Sequence, residues 1–382
     1  MKKVRLGILG TSEIAFRRFL PALKKHNEFE YIGVGSRNIE KTKPFVEAYG
    51  GKGYSSYDEL LQDKNIDAVY IPLPPALHFE WGKKALQAGK HILMEKPFCV
   101  NLQQTEELIE LAKKRNLAVH ENYMFMYHKQ LTKIKEIIDS GYLGKIRLYR
   151  IAFGFPMREK NDFRYNKELG GGALLDCGGY TLKLANYLLG DTTKVVCSNL
   201  VKENFEVDLY GNVTLQNDKG ITAQVSFGMD NAYKCELEVW GSKATLKAPR
   251  IFTAPDNFDV NLEFIDNNGR PHLVGPGKAC VSDRVLYLPH SLLQAQPGAA
   301  RHDGGSASGV AAHVYAGRSA RAGACGAGKI HPRGLDGADR LRAGRKDRDA
   351  DRRRAGSIRL RASRAAGRAD DPRRDAPRGV RT

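Results

Sequence analysis

Three side chains in this 382-residue sequence are of the types that stabilise and then protonate a negatively charged oxygen: Lys96, Asp176 and Tyr180. Lys96 lies in residues 91–100, HILMEKPFCV, where apolar residues read as a buried strand ending at a Glu-Lys-Pro turn. Most lysines sit on solvated faces, so one at the mouth of a buried strand is a candidate for chemistry. Asp176 and Tyr180 are four residues apart in ELGGGALLDCGGYTLKLANYLLG, a helical pattern opened by Gly170, Gly171 and Gly172 and closed by Gly190. That spacing places them on one helix face, which Leu184 and Tyr187 continue. In a purely structural reading Asp176 caps the helix and Tyr180 is core. In the functional one, a glycine-rich helix with a carboxylate and a phenol in register approaches a ligand closely.

The elements that must position these groups alternate over the first 120 residues. Residues 4–9, 31–35, 66–72, 91–94 and 118–121 read as short buried strands, and residues 14–26, 41–49, 77–88 and 102–115 as amphipathic helices between them. This is a doubly wound parallel sheet, whose ligands bind outside the carboxyl ends of its strands, where Lys96 falls. Asn101 can cap the last helix, with Gln104 three residues on. The first strand ends in GILGTSEIA, with Gly10, Ser12 and Ala15 at the three places of the dinucleotide fingerprint; as a lone match this also fits an ordinary strand-turn-helix corner. The second strand ends in Ser36-Arg37, where an NAD site usually presents a carboxylate to the ribose. Ser36, Arg37 and Lys41 instead suit a 2′-phosphate, which favours NADP(H) with NAD as the alternative; the plain alternative for Arg37 is a solvated strand end.

After residue 125 the pattern becomes KIRLYRIAFGF, VDLYGNVTLQN, ITAQVSFGM, KCELEVWG, ATLKAPR and FDVNLEFIDN, strand-like segments with turn residues between them. A large, mostly antiparallel sheet is expected, with too few helices to cover both faces, so a homodimer or homotetramer through that sheet is also expected. The fold class is therefore α/β: a nucleotide-binding domain over residues 1–123 and an α+β substrate and oligomerisation domain over residues 124–280. Residues 281–382 differ in composition. They hold 20 Arg and 2 Lys against 10 Asp and no Glu, and only two of the chain's 33 aromatic residues, Tyr287 and Tyr315. Such a segment cannot bury much core, and its Arg, Ala, Gly, Asp and Pro share GC-rich codons. It reads as a frameshifted or fused tail, with a disordered interaction tail as the alternative. Without interleaved aromatics, nucleic acid is not an expected partner.

The six cysteines follow no metal or disulfide spacing, so no metal site is expected and a reducing cytoplasm fits. No apolar run approaches the roughly 18 residues that span a bilayer. The N-terminus reads as a first strand and not as a leader, because its apolar part is short and interrupted by glycine.

Taken together and in this order, residues 10–15, YIPLPPALH (residues 70–78), Glu95-Lys96-Pro97 and GGGALLDCGGY (residues 170–180) resemble the glucose-fructose oxidoreductase and inositol dehydrogenase (Gfo/Idh/MocA) family over about residues 3–275. The resemblance implies a Rossmann domain with a Glu-Lys-Pro motif beside the nicotinamide, and a second domain supplying Asp176 and Tyr180. It implies that Gly10, Thr11, Ser12, Ile14, Pro72 and Leu73 line the cofactor, and that Lys96-Pro97 is a cis peptide. Ser12 departs from the glycine fingerprint, and nothing after about residue 284 matches the helices with which family members end. The subgroup most similar is the NADPH-dependent 3-ketoreductases of nucleotide-linked deoxysugars. Other sugar, polyol or dihydrodiol dehydrogenases, and a non-catalytic NADP or sugar sensor, are the alternatives.

Hydride transfer to a ketone leaves charge on oxygen, and Tyr180 is the expected acid. A phenol's pKa is about 10, and a cation within about 4–6 Å lowers it, so Lys96 is expected to lower Tyr180 while donating to the oxyanion. Asp176 is expected to orient Lys96 or a substrate hydroxyl, and Glu95 to hold Lys96 or the nicotinamide edge. His78 and Asn122 fall at strand ends as pocket-lining candidates, with a structural role as the alternative for His78. Arg164 is a cofactor or substrate ligand or a surface residue.

Overall fold

The structure is a computed structural model that describes residues 3–254 and 261–274. Its first sheet has six parallel strands: β1 (Val4–Leu9), β2 (Phe29–Gly35), β3 (Lys52–Tyr54), β4 (Ala68–Ile71), β5 (His91–Met94) and β6 (Val119–Glu121), in the order β3-β2-β1-β4-β5-β6. Apolar runs, not alternation, make β1, β4 and β5 because both their faces are buried. Val69, Ile71, Ile92 and Met94 pack into one core with Leu86 and Leu108, while Tyr70 and Leu93 point to the other with Ile8, Phe19 and Val34. The winding reverses between β1 and β4, which opens a crevice at their carboxyl ends.

The segment expected as one helix over residues 14–26 is a wide π turn (Ala15–Phe19) followed by the single α turn α1 (Leu20–Leu23). Pro21 near its start has no N–H to continue an α ladder. Strand β3 and the short helix Tyr57–Gln62 were not legible in the pattern. Their signals are three residues long and one cap, Ser56, whose Oγ accepts from the Glu59 N–H at 3.0 Å. The helix Leu102–Arg115 has its foreseen start, with Asn101 Oδ1 accepting from the Gln104 N–H at 2.9 Å.

The second sheet has eight strands: β7 (Ile146–Gly154), β8 (Lys194–Val201), β9 (Tyr210–Gln216), β10 (Thr222–Gly228), β11 (Lys234–Gly241), β12 (Ala244–Ala248), β13 (Leu262–Asp266) and β14 (Pro271–Val274), in the order β14-β13-β12-β11-β7-β10-β9-β8. Among the described residues only the central β7–β10 pair is parallel. The edge strand β8 escaped the sequence reading because its side chains are mostly exposed and carry no clear alternation. Tyr149, Ile151 and Phe153 of β7 and Val225 and Phe227 of β10 face the core with Leu182, Leu184 and Ala185 of the helix Gly179–Leu189. The opposite face carries Arg150, its ion-pair partner Glu238 at 3.1 Å and Trp240, which is 47% exposed. The expectations for residues 255–260 and for the 281–382 tail lie outside the described residues. Among the described residues no helix is long and apolar enough to cross a membrane, and no cluster of three or more His, Cys, Asp or Glu forms.

Candidate active site

A cleft of about 670 Å³ opens at the reversal point of the first sheet. Ser12, Ile14, Pro72, Leu73 and Lys96 line one wall, and Arg158, Arg164 and Asp176 the other. Gly10 turns the chain at the end of β1 with φ +106°, and a Cβ there would sit 2.7 Å from Leu73 Cδ2, so only glycine fits. Thr11 follows on the loop, and the Ser12 Oγ accepts from the Ala15 N–H at 3.2 Å, closing the turn. At the end of β2, Ser36 is buried with its Oγ accepting from the Asn38 N–H at 3.2 Å. Arg37 is exposed and its guanidinium engages the Tyr57 hydroxyl, while Lys41 projects from an exposed turn (Ile39–Thr42). A glycine-forced turn at the crevice, and a β2 end that presents the Ser36 hydroxyl and the Arg37 cation where a carboxylate would stand, fit a dinucleotide with a 2′-phosphate.

The structure brings Lys96 and Asp176 together across 80 residues of sequence. The Lys96 Nζ donates to Asp176 Oδ1 at 2.6 Å and to the Asp176 carbonyl at 3.0 Å. That uses two of the ammonium's three N–H donors. The Lys96-Pro97 peptide is cis, as the resemblance implied. Arg164 is no surface residue: its Nε donates to Asp176 Oδ2 at 2.7 Å and its Nη1 to Asp162 Oδ1 at 3.0 Å. Asp176 therefore sits between two cations. Burial alone would raise its pKa, but Lys96 and Arg164 outweigh that and hold it at about 2. For Lys96 burial works downward, and Asp176 and Tyr180 overcome it to leave the ammonium above its ordinary value.

Tyr180 lies with its ring centroid 5.0 Å from the Lys96 Nζ, enclosed by Tyr123, Phe125, Phe153 and Phe252 at centroid distances of 5.1–5.8 Å. It is only 6% exposed and stands beside the cleft wall, not in it. The expected lowering of its pKa does not occur. Desolvation by the aromatic cage exceeds the pull of Lys96, and the phenol is pushed up to about 12. Tyr187, expected to continue its face, is 41% exposed near the end of the helix, whereas Leu184 is buried.

Glu95 does not hold the Lys96 ammonium. Its Oε1 accepts from the Tyr70 hydroxyl at 2.6 Å and from Asn122 Nδ2 at 2.7 Å, and its Oε2 accepts from the Lys96 backbone N–H at 3.3 Å. Asn122 is thus spent on Glu95. Sequence reasoning missed Tyr70, whose signal was a hydroxyl inside an otherwise apolar strand that buries it completely. It also missed Asp162, the second anchor of Arg164. His78 is fully buried, with Nδ1 2.8 Å from the Pro97 carbonyl oxygen and Nε2 2.8 Å from that of Leu73. It braces the loops after β4 and β5 from behind and does not line the cleft, the structural alternative of the sequence reading.

A reversal-point cleft with a lysine and a carboxylate on its walls and a phenol close behind the lysine defines a nucleotide-dependent oxidoreductase. The sequence matches the oxidoreductase family with an NAD-binding Rossmann fold over residues 4–123 and the Gfo/Idh/MocA C-terminal domain over residues 131–247, and the chain belongs to this family. It is 40% identical over 267 residues, 69% of this chain and 80% of the relative, to a dTDP-3,4-didehydro-2,6-dideoxy-alpha-D-glucose 3-reductase of Actinomadura kijaniata. A protein of the same name from Streptomyces violaceoruber is 36% identical, covering 82% of this chain and 92% of the relative. Residues 1–284 alone cannot supply that share, so the alignment runs beyond the limit at which motif resemblance ends. Among solved structures, a 3-ketoreductase from Actinomadura kijaniata in complex with NADP and TDP-benzene superposes with a TM-score of 0.77 at 32% identity, covering 83% of this chain and 98% of that one.

Proposed function

We propose that the protein is an NADPH-dependent reductase of carbohydrate metabolism that reduces the 3-keto group of a nucleotide-linked deoxysugar. The carrying observation is the Lys96 ammonium, which gives two N–H donors to Asp176 and retains a third at the cleft wall beside Tyr180. The substrate class is supported by relatives at 36–40% identity named for that reaction, and the cofactor by Ser36, Arg37 and the NADP-bound structural neighbour.

Bound in this cleft, NADPH would supply the hydride that the carbonyl carbon accepts. The third N–H of Lys96 meets the ketone oxygen as charge develops there. Tyr180 gives its proton to that oxygen, and Lys96 steadies the resulting phenolate until solvent restores the proton. A phenol held near 12 keeps its proton through the neutral range and still yields it to an alkoxide, which is far more basic. Asp176 fixes the direction of Lys96, and Arg164 and Asp162 fix Asp176. Gly10, Thr11, Ser12, Ile14, Pro72 and Leu73 cradle the cofactor, Glu95 faces its nicotinamide end, and Ser36, Arg37 and Lys41 take its 2′-phosphate.

Residues 1–123 form the nucleotide-binding domain and residues 124–280 the substrate domain. The open sheet face bearing Leu148, Arg150, Ala152 and Trp240 supports a homo-oligomer, and the free thiols Cys99, Cys177, Cys197 and Cys235 suit the cytoplasm. The test is NADPH oxidation with a panel of nucleotide-linked keto-sugars. Turnover is expected with a 3-keto substrate, and tighter binding of NADPH than of NADH. Binding of NADPH without single-turnover oxidation by any of them would leave a sensor in place of an enzyme.

A further inference from the structure

Among the described residues four arginines line the cleft, and they differ in what neutralises them. Arg164 is held by two carboxylates, and Arg17 pairs with Glu13 at 3.2 Å. Arg18 has a partner of its own. Arg158 has no carboxylate among the described residues; its guanidinium carbon stands 5.1 Å from the centroid of the Phe155 ring. The loop that presents it is anchored. The Phe155 N–H donates to the Gly228 carbonyl at 3.1 Å, and the Phe155 carbonyl accepts from the Asn231 N–H at 3.1 Å. The Arg158 N–H donates to the Tyr165 hydroxyl at 2.9 Å, which in turn donates to the Met229 carbonyl at 3.3 Å. A buried tyrosine thus fixes the backbone of an exposed arginine at a cleft rim.

We infer that Arg158 binds the phosphate of the substrate's nucleoside diphosphate, a specificity contact that rests on the function proposed above. An unpaired guanidinium on a held backbone offers a planar fork of donors that matches phosphate oxygens, and stacking on Phe155 limits the freedom lost on binding. A phosphate could also come from the cofactor. Placement favours the substrate. Arg158 follows β7 of the second sheet, on the wall that carries Asp176, whereas the glycine turn at Gly10 and the β2 end at Ser36 and Arg37 belong to the first sheet, whose Ser12 and Ile14 line the other wall.

The test uses the NADPH-loaded full chain with Arg158→Ala and Arg158→Lys, and thymidine diphosphate as the probe. In Arg158→Ala the Kd for thymidine diphosphate and the KM for the nucleotide-linked keto-sugar should rise about 10- to 100-fold. Values of kcat, the Kd for NADPH and binding of unphosphorylated thymidine should stay within about twofold, and Lys should recover part of the loss because it keeps the charge without the fork. An unchanged Kd for thymidine diphosphate, or no binding of it by the unmodified protein, overturns the inference. A parallel rise in the NADPH Kd reassigns Arg158 to the cofactor and overturns it too. If thymidine diphosphate binding depends on Arg158 but no keto-sugar is reduced, the phosphate contact stands and the proposed reaction falls.

Discussion

The two walls of the cleft are fixed by different forces. On the nucleotide-binding side, positions are set through the backbone. His78 braces the carbonyls of Leu73 and Pro97, and Glu95, itself held by Tyr70 and Asn122, takes the Lys96 N–H. On the opposite side, position is set by charge, with Asp176 clamped between Lys96 and Arg164 and Arg164 tied to Asp162. The first arrangement places the lysine; the second aims it. A reacting centre assembled this way is complete only when both sheets are folded.

The sharpest break in that contrast is at Tyr180, which borders the charged wall but is caged by aromatics. Replacing Tyr180 with Phe keeps the cage and removes the proton, so kcat should fall by roughly 10² to 10⁴ in steady-state assays. Turnover at the level of the unmodified protein would remove Tyr180 as the donor. Next in size is Asp176→Ala, which leaves two part-buried cations facing each other. Chemical denaturation should show a loss of about 3–5 kcal/mol, and a loss below about 1 would mean that water already screens them.

On the backbone-set wall the effects should be smaller. Tyr70→Phe removes one of two hydrogen bonds to a carboxylate oxygen, at a cost of about 1.5–3 kcal/mol. Its signature should be a higher KM for NADPH with kcat nearly kept; a fall in kcat alone would place Tyr70 in the proton path.

pH separates the walls as well. Asp176 has a folded pKa of about 2 against an ordinary 3.8, so its ion pairs stabilise the protein above pH 4 and that contribution fades between about pH 4 and 2. The unfolding free energies of the unmodified protein and Asp176→Asn should therefore converge over that interval, by on the order of 2 kcal/mol. On the alkaline side, Tyr180 is raised from 10.0 to about 12. A folded pKa raised in this way favours folding below the ordinary value and loses that advantage as pH climbs through 12. The profile of kcat/KM in the reducing direction should accordingly show no descending limb from Tyr180 below about pH 10, and one near pH 8 would show that Lys96 prevails over burial.

Much of the fold was legible because its signals are local. The apolar runs of β1, β4 and β5 mark strands buried on both faces, and the Asn101 cap starts its helix at the foreseen residue. Strands β3 and β8 were not, one for its length and the other for its exposed side chains. Within the site, the candidate residues stood in the motifs, but their partners did not. Glu95 was read as holding Lys96 or the nicotinamide edge; it takes only the Lys96 backbone N–H, because past the end of β5 the lysine side chain reaches across to Asp176. Tyr70 and Asn122, 25 and 27 residues from Glu95 in sequence, reach its carboxylate because β4, β5 and β6 are neighbours in the sheet.

By itself the sequence determined what depends on neighbours in the chain. A tight turn at Gly10, a lysine and proline at a strand end, and a carboxylate and phenol in one helical segment follow from backbone sterics and helix period, although Asp176 itself sits in a π turn (Leu174–Gly178) ahead of the α-helix that carries Tyr180. Only the tertiary structure decided which charges meet and which way each proton equilibrium moves. Lys96 reaches Asp176 because the two sheets present their ends to one cleft, and Tyr180 rises because four aromatic rings exclude water from it. Desolvation and Coulomb attraction both depend on distances through space, and no spacing along the chain reports them.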